Sequence, residues 1–115
     1  MTITELKAIL VEAQNAATAK SMELYNRYGT DHVGCCGFAW VNIYEHNGQK
    51  IKGNTKLGRL LKQAGVRQDW TRAFSVWGGE WYHGQSIDIK EAGAQAYAEV
   101  LRKHGFTAYA GSRLD

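Results

Sequence analysis

The sequence predicts an α+β domain, built from a small, mostly antiparallel sheet with about three helices packed mainly on one of its faces. Three observations carry this expectation. Apolar residues recur at helical spacing near both ends of the chain and in one short segment between them. Segments rich in β-branched and aromatic residues intervene without strict strand-helix alternation. The chain has no proline and 13 glycines, so glycine must turn it. With 115 residues, of which 44% are hydrophobic and 22% charged, residues 1–115 are expected to form a single compact domain. The second face of its sheet is then open to solvent or to a partner.

The first 28 residues read as one helix, because Leu6, Leu10, Ala13, Ala17, Leu24 and Tyr28 recur at spacings of three, four or seven before Gly29. Thr2 or Thr4 can cap it, and Glu5 suits the positive end of its dipole. Its stripe is small at Ala13, Ala16 and Ala17, which permits close approach of a neighbour. That neighbour is either the domain's own core or a second copy in a homodimer.

Residues 33–45 read as a strand in which Ala39, Val41 and Ile43 alternate with Phe38, Trp40, Asn42 and Tyr44. Asn47-Gly48 signals a two-residue hairpin turn, so residues 49–52 are expected to run back beside that strand. A short helix then begins at Asn54 or Thr55, with Leu57, Leu60, Leu61 and Ala64 inward and Gly65 closing it. Residues 72–77 read as a second strand, Gly78-Gly79 as a break, and residues 80–87 as a further extended piece. Asp88-Ile89-Lys90-Glu91 resembles a capping box for a third helix, with Ile89, Ala92, Gly93, Ala96, Tyr97, Val100 and Leu101 inward and Gly105 closing it. Residues 106–110 read as a last strand and residues 111–115 as a polar tail.

Charge is the most informative functional signal. Lys50, Lys52, Lys56, Arg59, Lys62, Arg67 and Arg72 face a single acid, Asp69, in the same segment, which leaves +6 there. The other residues hold seven basic and ten acidic groups, a balance of −3. Lys56, Arg59 and Lys62 fall three apart on the short helix, opposite its leucines, so they project outward. A concentrated positive field suits nucleic acid or an acidic protein surface, and Trp70 in the same segment suits stacking on a base. An ordinary solvated helix face is the plainer account of the same charges.

Two aromatic groups add to this. Phe38, Trp40 and Tyr44 on one side of a strand match the stacking platforms of sheet-based single-strand binders, without any accompanying RNP-like string. The preference of large rings for cores favours burial beneath the first helix instead. Trp77, Trp81 and Tyr82, around Gly78-Gly79, are candidate anchors of a protein interface.

Other classes find less support. No apolar run approaches the roughly 18 residues of a membrane span, and the N-terminus lacks a signal-peptide layout, so a cytoplasmic location is expected. Adjacent Cys35 and Cys36 read as reduced thiols. Strand geometry sends them to opposite faces, so a metal site with Asp31 and His32 is not expected, nor is any cofactor. His83 with Glu80, or Asp88 with Ser86, are the residues an enzyme acting on a small phosphorylated substrate would use, but no catalytic string accompanies them.

The segments KGNTKLGRLLKQAG, IDIKEAGAQAYAEVLRKHG and FTAYAGSRLD resemble small phage-encoded proteins of unassigned function. The resemblance implies expression in a bacterial cytoplasm. It also implies one of two roles, handling nucleic acid or inhibiting a host enzyme or antiviral defence system.

Overall fold

The computed structural model describes residues 1–28 and 35–115. Gly29, the Asp31-His32 pair, Val33 and Gly34 lie outside the described residues. Three helices, α1 (Ile3–Tyr28), α2 (Lys56–Gln63) and α3 (Ile87–Lys103), accompany four strands, β1 (Gly37–Tyr44), β2 (Arg67–Gln68), β3 (Phe74–Trp77) and β4 (Thr107–Leu114). The strands form one antiparallel sheet in the order β2-β3-β1-β4. This is the expected α+β arrangement.

Alternation along β1 decides which way the sheet faces. Ala39, Val41 and Ile43 are buried; Val41 pairs in register with Val76 of β3 and Ala110 of β4, and Ile43 with Phe74 and Ala108. The helices cover that side. α1 and α3 pack antiparallel: Ser21 Oγ, late in α1, donates to the Ile89 carbonyl at 3.1 Å, early in α3. At the other end Glu12 meets Lys103 and His104, each at 2.9 Å. Ala13 and Ala17 are fully buried between them, so the small stripe serves the chain's own core and is not free for a twin helix. Leu6, Ile43, Leu61, Phe74, Ile89 and Leu101 are also fully enclosed. Burying each such side chain contributes about 1.5–3 kcal/mol.

Several local expectations are corrected. Residues 49–52 do not form a return strand, because β3 and β4 already occupy both sides of β1; only a single bridge joins Tyr44 to Lys50. The turn is closed by Glu45 and Gln49, with Gly48 at φ +85° and Asn47 Oδ1 accepting from Gln49 N. Residues 80–87 are not extended: Gly78–Glu80 form a 3-10 turn, and only a bridge joins Ser86 to Cys36. Ser86, not Asp88, occupies the cap position of α3. The polar tail is part of β4, which pairs with β1 over its whole length, from Tyr44↔Thr107 to Gly37↔Leu114.

Candidate nucleic-acid interface

Two surfaces stand out. One is cationic. The Thr55 hydroxyl caps α2 by accepting from Gly58 N at 3.1 Å. Leu61 is fully buried beneath the helix, while Lys56, Arg59 and Lys62 are exposed, as are Lys50, Lys52, Arg67 and Arg72. Among the described residues the salt bridges involve Lys20, Arg27, Lys103 and His104, so none of these seven cations is ion-paired. Their charge is directed outward.

The turn from β2 to β3 presents Trp70 with 94% of its surface exposed. Asp69 builds that turn: its Oδ1 accepts from Thr71 N at 2.8 Å, Thr71 Oγ1 at 2.5 Å and Ala73 N at 3.2 Å. Burial acts to raise the Asp69 carboxyl, but these bonds and the charge of Lys50 together hold it below its usual value. Lys50 Nζ also donates to the Thr71 carbonyl at 2.8 Å, and Gln68 Nε2 donates to that of Arg72 at 3.0 Å. Arg72 adopts φ +69°, in the left-handed region that costs a side-chain-bearing residue energy. Trp70 is thus held out on a braced turn among cations.

The second surface is the open face of the sheet, read row by row from the strand register. Phe38 stands opposite Arg113; Trp77, Trp40 and Gly111 form the next row; Arg67, Ser75, Asn42 and Tyr109 follow; Tyr44 and Thr107 come last. None of these residues is acidic. Trp40 and Trp77 have ring centroids 5.0 Å apart, Phe38 meets Trp77 edge-on at 6.4 Å, and Tyr44 and Tyr109 lie 5.9 Å apart. Lys90 Nζ and Arg113 Cζ sit 5.7 and 5.8 Å from the centroid of Phe38. Burial of this stripe beneath α1 is therefore incorrect: the smaller residues of β1 face the helices and the large rings face outward. Phe38 is 39%, Trp77 44% and Tyr109 59% exposed.

Of the three proposed interface anchors, only Trp77 is exposed. Trp81 is 4% exposed and packs 5.5 Å from Tyr97, because the 3-10 turn folds its indole over Gly93 of α3. Its assignment as an anchor is corrected to a core residue. Tyr82 is partly buried against the core, and burial, with Tyr25 nearby, raises its phenol above the usual range.

Tyr109, Arg113 and Asn42 belong to the open face but were missed as site residues. Continuing the alternation Thr107-Tyr109-Gly111-Arg113 past Ala110 was the signal available for the first two. Asn42 Oδ1, in the middle of the face, is shielded from solvent and has no hydrogen-bond partner among the described residues.

A cleft of about 540 Å³ is lined by Glu45, His46, Lys56, Leu57, His104 and Phe106, among others, and has no Ser, Thr or Cys among the described residues of its wall. Another, of about 350 Å³, lies between α1 and the edge of β3 and includes Arg67, Trp77 and Glu80. His83 is exposed and lines neither, so neither cleft forms the concave site that an enzyme using His83 requires. Ser86 Oγ is buried without a partner among the described residues, whereas Asp88 is exposed. Cys35 and Cys36 are free and exposed, and no three His, Cys, Asp or Glu side chains converge among the described residues. No helix among them is long and apolar enough to cross a membrane. The chain matches no family model, no curated protein and no solved structure.

Proposed function

We propose that this protein is a non-enzymatic binding protein that contacts nucleic acid through Lys50, Lys52, Lys56, Arg59, Lys62, Arg67 and Arg72. The observation that carries the reading is the 94% exposed Trp70, held on a braced turn between β2 and β3 among cations that make no salt bridge among the described residues. Exposing an indole to this extent is unfavourable for an isolated domain, and a flat ring flanked by cations suits base stacking beside phosphate contacts. The experiment is a tryptophan-fluorescence titration with DNA and RNA across salt concentrations, run beside Lys56→Glu/Arg59→Glu. Affinity should fall by orders of magnitude between low and physiological salt, and further in the variant. Affinity that is indifferent to salt would refute the reading.

A second reading, a protein inhibitor or adaptor of the kind the phage resemblance implies, is favoured by the exposed Trp77 beside Gly78-Gly79. An acidic partner surface would then meet the same cations. Trp77→Ala should cost at least about 2 kcal/mol of affinity for such a partner if the ring is an anchor.

A further inference from the structure

We infer that the open face of the sheet is a stacking platform for the unpaired bases of a single-stranded nucleic acid, and that the cationic segment beside it holds the strand's phosphates. The inference rests on the nucleic-acid reading above and names its substrate class. Phe38, Trp40, Trp77, Tyr44 and Tyr109 form two ring clusters along the strands, one of Phe38, Trp40 and Trp77 and the other of Tyr44 and Tyr109. From Trp40 to Tyr44 the strand advances about 13 Å, a spacing that leaves room for about two or three bases on the sheet. Duplex DNA, whose bases are already stacked in pairs, presents no free ring face to such a platform.

The choice of occupant follows from charge. The rows contain no carboxylate, while Arg67 stands on one edge of the sheet and Arg113 on the other. Lys50 bridges to Tyr44, and so joins the platform to the cationic turn through its contact with the Thr71 carbonyl. A polyanion carrying flat, apolar rings matches this composition. A second copy of the same face would instead oppose arginine to arginine. Trp40 forms the floor of the first cluster, because Gly111 leaves no Cβ beneath its indole.

The test compares oligothymidylate and oligouridylate with a duplex of the same length, at low and physiological salt. It uses the wild type, Trp77→Ala/Tyr109→Ala and Lys56→Glu/Arg59→Glu. Tyr109→Ala alone, which removes a ring that is already 59% exposed, is carried in case the double variant fails to fold. The wild type should bind the single strand at least about tenfold more tightly than the duplex, and loss of each ring should weaken single-strand binding by about tenfold or more, with duplex binding retained. Equal affinity for both forms, or single-strand binding unaffected by loss of the rings but abolished by charge reversal, would overturn the platform and leave the cationic reading standing. Failure of the wild type to bind any of the three at low salt would overturn both. A wild-type dimer in light scattering that Tyr109→Ala dissociates would assign the face to a second copy and likewise overturn the inference.

Discussion

The indole of Trp40 lies across Gly111 of the neighbouring strand, so closely that a Cβ built at Gly111 would stand 2.6 Å from two of its ring atoms. Glycine in a strand interior is ordinarily a weak point, and valine there would gain up to about 1 kcal/mol from strand propensity. Here the ring is also held by Trp77 at 5.0 Å and has little freedom to withdraw. Gly111→Val should therefore destabilise the protein by about 1–3 kcal/mol, as overpacking does. Urea denaturation decides the sign. A gain in stability would show that the Trp40 ring swings freely, and the floor of the aromatic face would lose its rigidity.

That pair also shows where the sequence was legible and where it was not. The helices of residues 3–28, 56–63 and 87–103 follow from apolar spacing, which depends only on neighbours within a few turns. Alternation along residues 37–44 likewise separated Ala39, Val41 and Ile43 from Phe38, Trp40 and Tyr44. Which set faced the helices was not determined locally. It depends on how α3 packs against β1 and β4, a contact between segments far apart in the chain. Gly111-Ser112-Arg113 reads as a tail because its composition is that of a loop, yet its glycine answers a tryptophan 71 positions earlier in the chain. β2, only two residues long, carries no periodic signal and is held by its pairing with β3. The cationic segment was readable because charge needs no fold to be counted.

Trp81 and Gly93 form a second such pair, inside the core. A Cβ at Gly93 would overlap Trp81 Nε1 and stand 2.6 Å from Ser21 Oγ, where α1 and α3 cross. Alanine in place of a helical glycine normally gains about 1 kcal/mol. At this crossing the overlap outweighs that gain, and Gly93→Ala should lose about 1–3 kcal/mol. Trp81→Ala removes the ring that fills the same space and should cost about 3–5 kcal/mol. Denaturation midpoints of both variants test the packing. A Trp81→Ala variant of unchanged stability but lost partner binding would return that residue to the interface.

The Asp69 turn gives a pH dependence with a definite sign. Its carboxyl is held below the ordinary value of 3.8, so the bonds to Thr71 and Ala73 contribute fully above that value and are lost as pH falls through the folded value. Asp69→Ala should cost about 1–2 kcal/mol at neutral pH and progressively less under acid conditions. Glu12, which the bonds from Lys103 and His104 hold low, also loses its contribution on acidification. The informative quantity is therefore the difference between variant and wild type at each pH. A difference that stays constant down to acid pH would show that the Asp69 charge does not brace the turn.

Arg72 separates folding from binding most directly. At φ +69° its backbone occupies a region that disfavours any residue with a Cβ by about 1–2 kcal/mol, and glycine relieves the strain. Glycine also loosens the unfolded chain, which offsets part of the gain, so Arg72→Gly should stabilise the fold by up to about 1 kcal/mol. The same change deletes a cation beside Trp70 and should weaken binding to nucleic acid while making its salt dependence shallower by about one phosphate contact. A variant that is more stable yet binds less well would mean that the strained position is occupied by arginine for the sake of its charge. If Arg72→Gly binds as the wild type does, with the same salt slope, the turn contributes no phosphate contact through that side chain. If it also loses stability, the left-handed conformation is not what limits the turn, and the bond from Gln68 Nε2 to the Arg72 carbonyl becomes the next element to test.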